Sequence, residues 1–172
     1  MKLGKDFYTK RATELAPLLL GKLLCRNIDG KIIKKRITET EIYFGENDSA
    51  CHASRGKTER TKILYEEGGI AYVYLCYGIH HLFNVVTGLK DFPEAVLIRG
   101  IEGYQGPGKL TKFLNIDRAL NGEDLVNSDK LWIEDDGYVA KYITTPRIGI
   151  DYASEEDRKR LWRFVLTEGE LK

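Results

Sequence analysis

The sequence predicts an α+β fold: antiparallel strands joined by tight turns, with a few helices at the periphery. Three observations carry that prediction. β-prone runs follow one another at IAYVYLCYG (70–78), HLFNVVT (81–87) and EAVLIRG (94–100), with turn signals near Gly78 and at GLKDFP between them. An Asp-Gly pair in NIDGK, a strong hairpin signal, joins 22–27 to 31–44 as antiparallel partners. Helical segments do not alternate with the strands, which argues against a βαβ design.

The remaining elements follow in chain order. Residues 8–24 carry Leu15, Leu18, Leu19 and Leu23 at near-helical spacing, with Pro17 and Gly21 as break points. Thr58 has the character of an N-cap for a short helix through Tyr65, ended by Gly68-Gly69. GPGKLTKFLNI, 106–116, is a glycine turn opening a helix with Pro107 near its first position. Ser154 before Glu155, Glu156 and Asp157 resembles a capping box with Asp in place of Glu. LWRFVL, 161–166, reads as the last strand. With 172 residues and neither internal repeat nor low-complexity linker, one domain over 1–172 is expected.

Composition narrows the classes. Charged residues at 31% and hydrophobic ones at 42% exclude a disordered chain. The apolar run Leu15–Leu20, broken by Pro17, is too short to span a bilayer, and MKLGKDFYTKR has no apolar signal region. An intracellular protein without membrane association is expected. Cys25, Cys51 and Cys76 lie far apart and form no metal-type pair, which fits a reducing compartment. A zinc site from Cys51, His52 and His80–His81 is disfavoured, because adjacent strand residues point to opposite faces. Lys and Arg dominate residues 1–36, whereas acids outnumber bases after residue 130. That asymmetry suits either a phosphate-tracking patch or an ordinary solvated surface.

Chemistry concentrates in ETEIYFGENDSACHASRG, 39–56. In a strand, Ile37, Glu39, Glu41 and Tyr43 share one face, with Thr38, Thr40 and Ile42 on the other. An ionised carboxylate beside an aromatic ring can activate a water next to a flat substrate, although the spacing alone favours a plain polar strand face. Tyr72, Tyr74 and Tyr77 crowd YVYLCYG. Such rings either pack a core or hold an unstacked base. GPGKL offers backbone N–H groups and Lys109 to an anion, but it lacks the spacing of a nucleotide-binding P-loop.

Jointly, these segments resemble the 3-methyladenine (alkyladenine) DNA glycosylases. The matching pieces are LLGKLL (19–24), ETEIYFGENDSACHASRGKTER (39–60), YVYLCYGIHHLFNVVT (72–87), AVLIRGIE (95–102), GPGKL (106–110), PRIGIDYA (146–153) and WRF (162–164). The resemblance implies a curved antiparallel sheet and a base-excision repair enzyme acting, as a monomer, on double-stranded DNA containing damaged purines. It implies neither metal nor organic cofactor. By position, Glu41 is similar to the general base that directs a water at the sugar C1′. Arg99 resembles the residue that orients that water and the carboxylate, together with a backbone carbonyl near Arg147–Ile148. Tyr43, His52 and Tyr74 resemble the walls of the base pocket, and Asn84 the residue that disfavours guanine's amino group. Tyr77 resembles the side chain wedged into the stack, and Gly108 and Lys109 the phosphate contacts. Glu39 takes a supporting role. The sequence departs from the family pattern at Thr61, at LYEEGG and at Ile79-His80-His81, all near the DNA-facing hairpin. A non-catalytic nucleic-acid-binding module with a tyrosine platform is the alternative reading.

Overall fold

The computed structural model describes residues 1–172. The leucine-rich segment divides into α1 (Lys5–Tyr8) and α2 (Ala12–Leu19) and does not run on as helix to residue 24. Pro17 lies inside α2, which ends two residues later; proline removes a helical donor and crowds the preceding turn. The Thr40 hydroxyl donates to the Ala16 carbonyl at 2.9 Å, satisfying an acceptor left open by the helix end. β1 (Leu23–Ile28) and β2 (Lys31–Phe44) then pair antiparallel across Asp29-Gly30. Both turn residues have positive φ, 51° and 89°, the type I′ geometry that matches strand twist.

β3 (Ala71–Cys76), β4 (His80–Val86) and β5 (Glu94–Ile101) form the expected meander. The short β6 (Tyr104–Gln105) folds back on β5 and leads into α3 (Pro107–Phe113). Besides the two-residue β6, two strands go unmarked by sequence pattern, β7 (Leu131–Glu134) and β8 (Tyr138–Thr145). β7 has only four residues, and β8 is largely exposed, so neither shows a clear apolar alternation. After α4 (Glu155–Lys159), the last strand β9 starts at Arg163 and continues to Leu171.

Thr58 does not open an α-helix. Thr58 and Thr61 exchange N–H to hydroxyl bonds of 2.8 and 3.2 Å, and a single 3₁₀ turn, Lys62–Tyr65, follows. At α4 the Ser154 hydroxyl accepts from the Asp157 N–H, as the sequence suggests. The reciprocal half of the box runs through Ser49. Its hydroxyl accepts the Ser154 N–H at 2.9 Å, and the Asp157 carboxylate accepts the Ser49 N–H at 2.8 Å.

The sheet order is β3-β4-β5-β2-β1-β7, with the β8–β9 hairpin joined to β2 at Glu39–Glu41. All pairings are antiparallel, and the sheet curls into a half-barrel within one α+β domain. One face packs its core, including Ile42, Val85, Val96 and Ile98, with Leu15 and Leu19 of α2 and Leu110 of α3. The other face carries a smaller cluster of Tyr72, Val86 and Ala95 with Cys51, Ala53 and Leu64. No helix is long and apolar enough to cross a membrane.

Candidate active site

Cross-strand register assembles the site on that second face. Directly opposed residues of an antiparallel pair share a face. Glu41 opposes Leu97, Leu97 opposes Asn84, and Asn84 opposes Tyr72, so one row runs across β2, β5, β4 and β3. Thr40 and Ile42, opposite Ile98 and Val96, point into the core. The expected alternation fails at Ile37, which is buried in the core with Ile42 and not aligned with Glu41. The register explains this. Glu39 opposes Gly100 and Thr40 opposes Ile98, so Arg99 is an unpaired bulge residue on β5. Ile37 opposes Ile101, so Thr38 is unpaired on β2. Bulges redirect side chains, and this pair places the Arg99 guanidinium beside both carboxylates.

Glu41 has no solvent exposure. Its Oε1 accepts from the Tyr43 hydroxyl at 3.0 Å, and its Oε2 from the Ile148 N–H at 2.8 Å. Arg99 Nη1 lies 3.6 Å from Oε1. The segment Arg147–Ile148 thus reaches the carboxylate through the Ile148 amide N–H. Burial pushes the Glu41 carboxyl above the ordinary glutamate range; Arg99, the Ile148 N–H and the Tyr43 hydroxyl offset part of that rise. Burial, and then the Glu41 charge, push the Tyr43 phenol well above its usual value, so it stays protonated and donates.

His52, Tyr72 and Tyr74 form an aromatic group, and Tyr72 and Tyr74 share with Tyr43 the smaller cluster on this face. His52 Nδ1 is 2.9 Å from the Tyr72 hydroxyl, and its ring meets Tyr74 edge-on with centroids 4.5 Å apart. Tyr72 and Tyr74 are 5.3 Å apart, and the Arg60 guanidinium lies 5.2 Å from the Tyr74 ring. Burial lowers the His52 pKa to about 4, with Arg60 and Arg55 adding to the shift, so the ring is neutral at pH 7. A neutral imidazole does not repel a cationic ligand. Asn84 is buried and donates from Nδ2 to the Tyr72 carbonyl at 3.2 Å.

The chain as a whole has relatives among known proteins. The Methylpurine-DNA glycosylase (MPG) family matches residues 6–105 and 102–170. The chain belongs to this family. A Borreliella afzelii protein named "Putative 3-methyladenine DNA glycosylase" is 47% identical over 177 residues, covering 95% of each chain. Proteins of the same name from Methanocella arvoryzae and Clostridium perfringens are 44% and 39% identical. They cover 94% and 99% of this chain, and 90% and 98% of their own. This chain is accordingly a DNA glycosylase, an enzyme of base-excision repair whose substrate is DNA.

In this glycosylase the β3–β4 hairpin ends in Tyr77-Gly78-Ile79. Tyr77 is 87% exposed at φ 52°, and Ile79 is also exposed. Positive φ is costly for a bulky residue and persists where the surroundings impose it. Lys109 is exposed at the start of α3. Gly108 is packed against the hairpin: a Cβ there would meet the His80 ring at 2.8 Å. Its glycine is therefore explained by this close approach, which holds α3 against β4.

The basic N-terminal region does not act as one free patch. Lys22, Lys34 and Arg36 pair with Asp135, Glu134 and Asp136, because β1 lies between β2 and β7 and the two charged segments meet. The sequence reading also missed Asp48. Its carboxylate accepts a two-pronged bond from buried Arg147, 2.7 and 3.0 Å, while Arg147 also donates to the Ile42 carbonyl at 2.9 Å. This clamp fixes the strand-to-loop distance that sets the Ile148 N–H on Glu41. Position alone gave no signal for it, since the partners are 99 residues apart.

Proposed function

We propose that this glycosylase turns a damaged purine nucleotide out of duplex DNA and hydrolyses its N-glycosidic bond with a water activated by Glu41. The observation that carries the reading is the setting of Glu41, wholly buried yet held by an amide, an arginine and the phenol of Tyr43, which itself packs on the cluster that holds Tyr72 and Tyr74. The water oxygen bonds to C1′ as its proton passes to Glu41. The bond from C1′ to the purine nitrogen breaks, and its electron pair leaves with the base. For 3-methyladenine or 7-methylguanine, that pair neutralises the cationic ring, so departure requires no added proton. Ethenoadenine and hypoxanthine are the neutral candidates. Charge building on the sugar is stabilised by the nearby carboxylate, as in other glycoside cleavages.

Tyr43, His52 and Tyr74 line the base pocket in this reading, with Asn84 disfavouring the amino group of guanine. A cation over aromatic faces gains about 0.5–2 kcal/mol, which favours alkylated purines. Tyr77 fills the space left by the rotated nucleotide, the use made of wedges in distorted duplexes. Arg99 orients the water, Lys109 and the Gly108 backbone contact phosphate, and the enzyme acts as a monomer.

The test is a duplex carrying one such lesion, incubated with enzyme and then treated with hot alkali. Strand breaks at the lesion are expected, and their absence with all four lesions would sink the reading. Because the base must be ionised, the single-turnover rate should fall about tenfold per pH unit below the Glu41 pKa. The bend should lie above the ~4.3 of an ordinary glutamate, since burial raises this one. A profile flat down to that pH would remove Glu41 as the base. Replacing Lys109 by Ala should weaken binding to all sequences and flatten the plot of log affinity against log salt by about 0.9. An unchanged slope would take Lys109 off the phosphate list.

A further inference from the structure

Glu39 lies two residues from Glu41, and nothing in the proposed reaction uses it. It is buried and bridges two cations. Arg163 Nε donates to Glu39 Oε1, and Arg99 Nε lies 3.6 Å from the same oxygen. The fold makes specific room for it. Glu39 opposes Gly100, where an added Cβ would meet Thr38 Oγ1 at 2.9 Å and Glu39 Cβ at 3.1 Å. Arg163 arrives from β9, opposite Glu41, and is held by donation from Nη1 to Thr145 Oγ1 at 3.0 Å.

The consequence lies in how Arg99 is shared. It stands 3.6 Å from each carboxylate, too far for a formed hydrogen bond to either. A carboxylate offers about four lone-pair positions, and Tyr43 and Ile148 already occupy two of those on Glu41. An arginine fork closing on Glu41 would occupy the rest. No acceptor would then remain for the water. We propose that Glu39, held by Arg163, is a positioning residue that keeps Arg99 from closing on Glu41 and so leaves the Glu41 carboxylate open to water.

This inference rests on Glu41 as the base. The groups facing Glu41 are Glu39 and Tyr43 on its own strand and Arg99 from β5. Arg163 from β9 reaches it through Glu39, and the Ile148 N–H and clamped Arg147 come from the loop after β8. Substituting Glu39 by Gln removes the competitor for Arg99, and the fork closes on Glu41. Substituting Arg163 by Gln frees Glu39 to draw Arg99 away. The two variants therefore push Glu41 in opposite directions.

The experiment is the pH dependence of single-turnover cleavage of a lesion duplex by wild type, E39Q and R163Q. Lesion affinity is measured alongside by gel shift. The acid limb should move down by about one pH unit in E39Q and up in R163Q. The plateau rate in E39Q should fall at least tenfold with affinity unchanged. A merely structural ion pair would lower thermal stability in both variants and leave both limbs in place, and that result would overturn the proposal. If one variant fails to fold, the direction of the other decides alone. E41Q is run in parallel: full activity there shows that the base assignment has failed, whereas an inactive E41Q with unmoved limbs in the other two shows that only the Glu39 role has.

Discussion

Glu41→Gln should lower the single-turnover rate of base release by about 10²–10⁴-fold and leave lesion binding in place. The substitution is close to isosteric, and both contacts can persist. The amide oxygen accepts the Ile148 N–H, while the amide nitrogen donates to the Tyr43 hydroxyl, which can turn to accept. What disappears is the capacity to take a proton from water. Stability should move the other way. The folded protein holds this carboxyl above its ordinary range, so ionising Glu41 costs more in the folded chain than in the unfolded one. The folded state binds more protons between the ordinary glutamate pKa and the raised one, and stability contributed by this group falls as pH rises through that window. Below it both states are protonated and the penalty is absent. Melting curves of wild type and Glu41→Gln should therefore converge in acid, with the variant at least as stable at neutral pH. A variant that is both active and less stable at pH 7 would contradict both halves of the argument.

Asp48→Ala should be the most destabilising single substitution near the site. Arg147 and Asp48 are both fully or almost fully buried, and truncating Asp48 leaves the guanidinium without its counter-charge. Breaking a buried pair from one side costs roughly 3–5 kcal/mol. For a chain of this size that lowers the melting temperature by on the order of 10 °C. Removing both charges, with Asp48→Ala and Arg147→Met together, should recover much of the loss, because no orphaned charge remains. It should not recover activity. Without the clamp the loop after β8 is held by the packing of Ile150 and Ala153 near Tyr43 and by the Tyr152 bond to the Ala50 carbonyl, and the Ile148 N–H is fixed less firmly on Glu41. Equal melting temperatures for Asp48→Ala and wild type, measured by calorimetry, would show that the pair is not the anchor described here.

These two positions also mark where sequence reading stops. β2 was legible in full, Lys31–Phe44, because an Asp-Gly turn and a β-rich run both reported it locally. The meander β3–β5 was legible for the same reason. β7 and β8 were not, since a four-residue strand and an exposed one carry little pattern. The short helix expected at Thr58 reduced to a 3₁₀ turn because the two threonine hydroxyls satisfy each other's backbone N–H.

The sequence by itself determined the α+β class, the family and the residue types at the candidate site. Glu41, Tyr43, His52, Tyr74, Asn84 and Arg99 were all named from motifs, because side-chain type is written in the chain. Only the tertiary structure decided how those groups sit. Two bulges, at Thr38 and Arg99, move Ile37 into the core and place one arginine between two glutamates. Burial makes His52 neutral and holds Glu41 above its ordinary range. Three bases of the N-terminal region, Lys22, Lys34 and Arg36, pair with the acids at 134–136 across β1, β2 and β7. The physical reason is common to all three. Register, desolvation and ion pairing depend on partners distant in sequence, and only the folded chain brings those partners within a few ångströms.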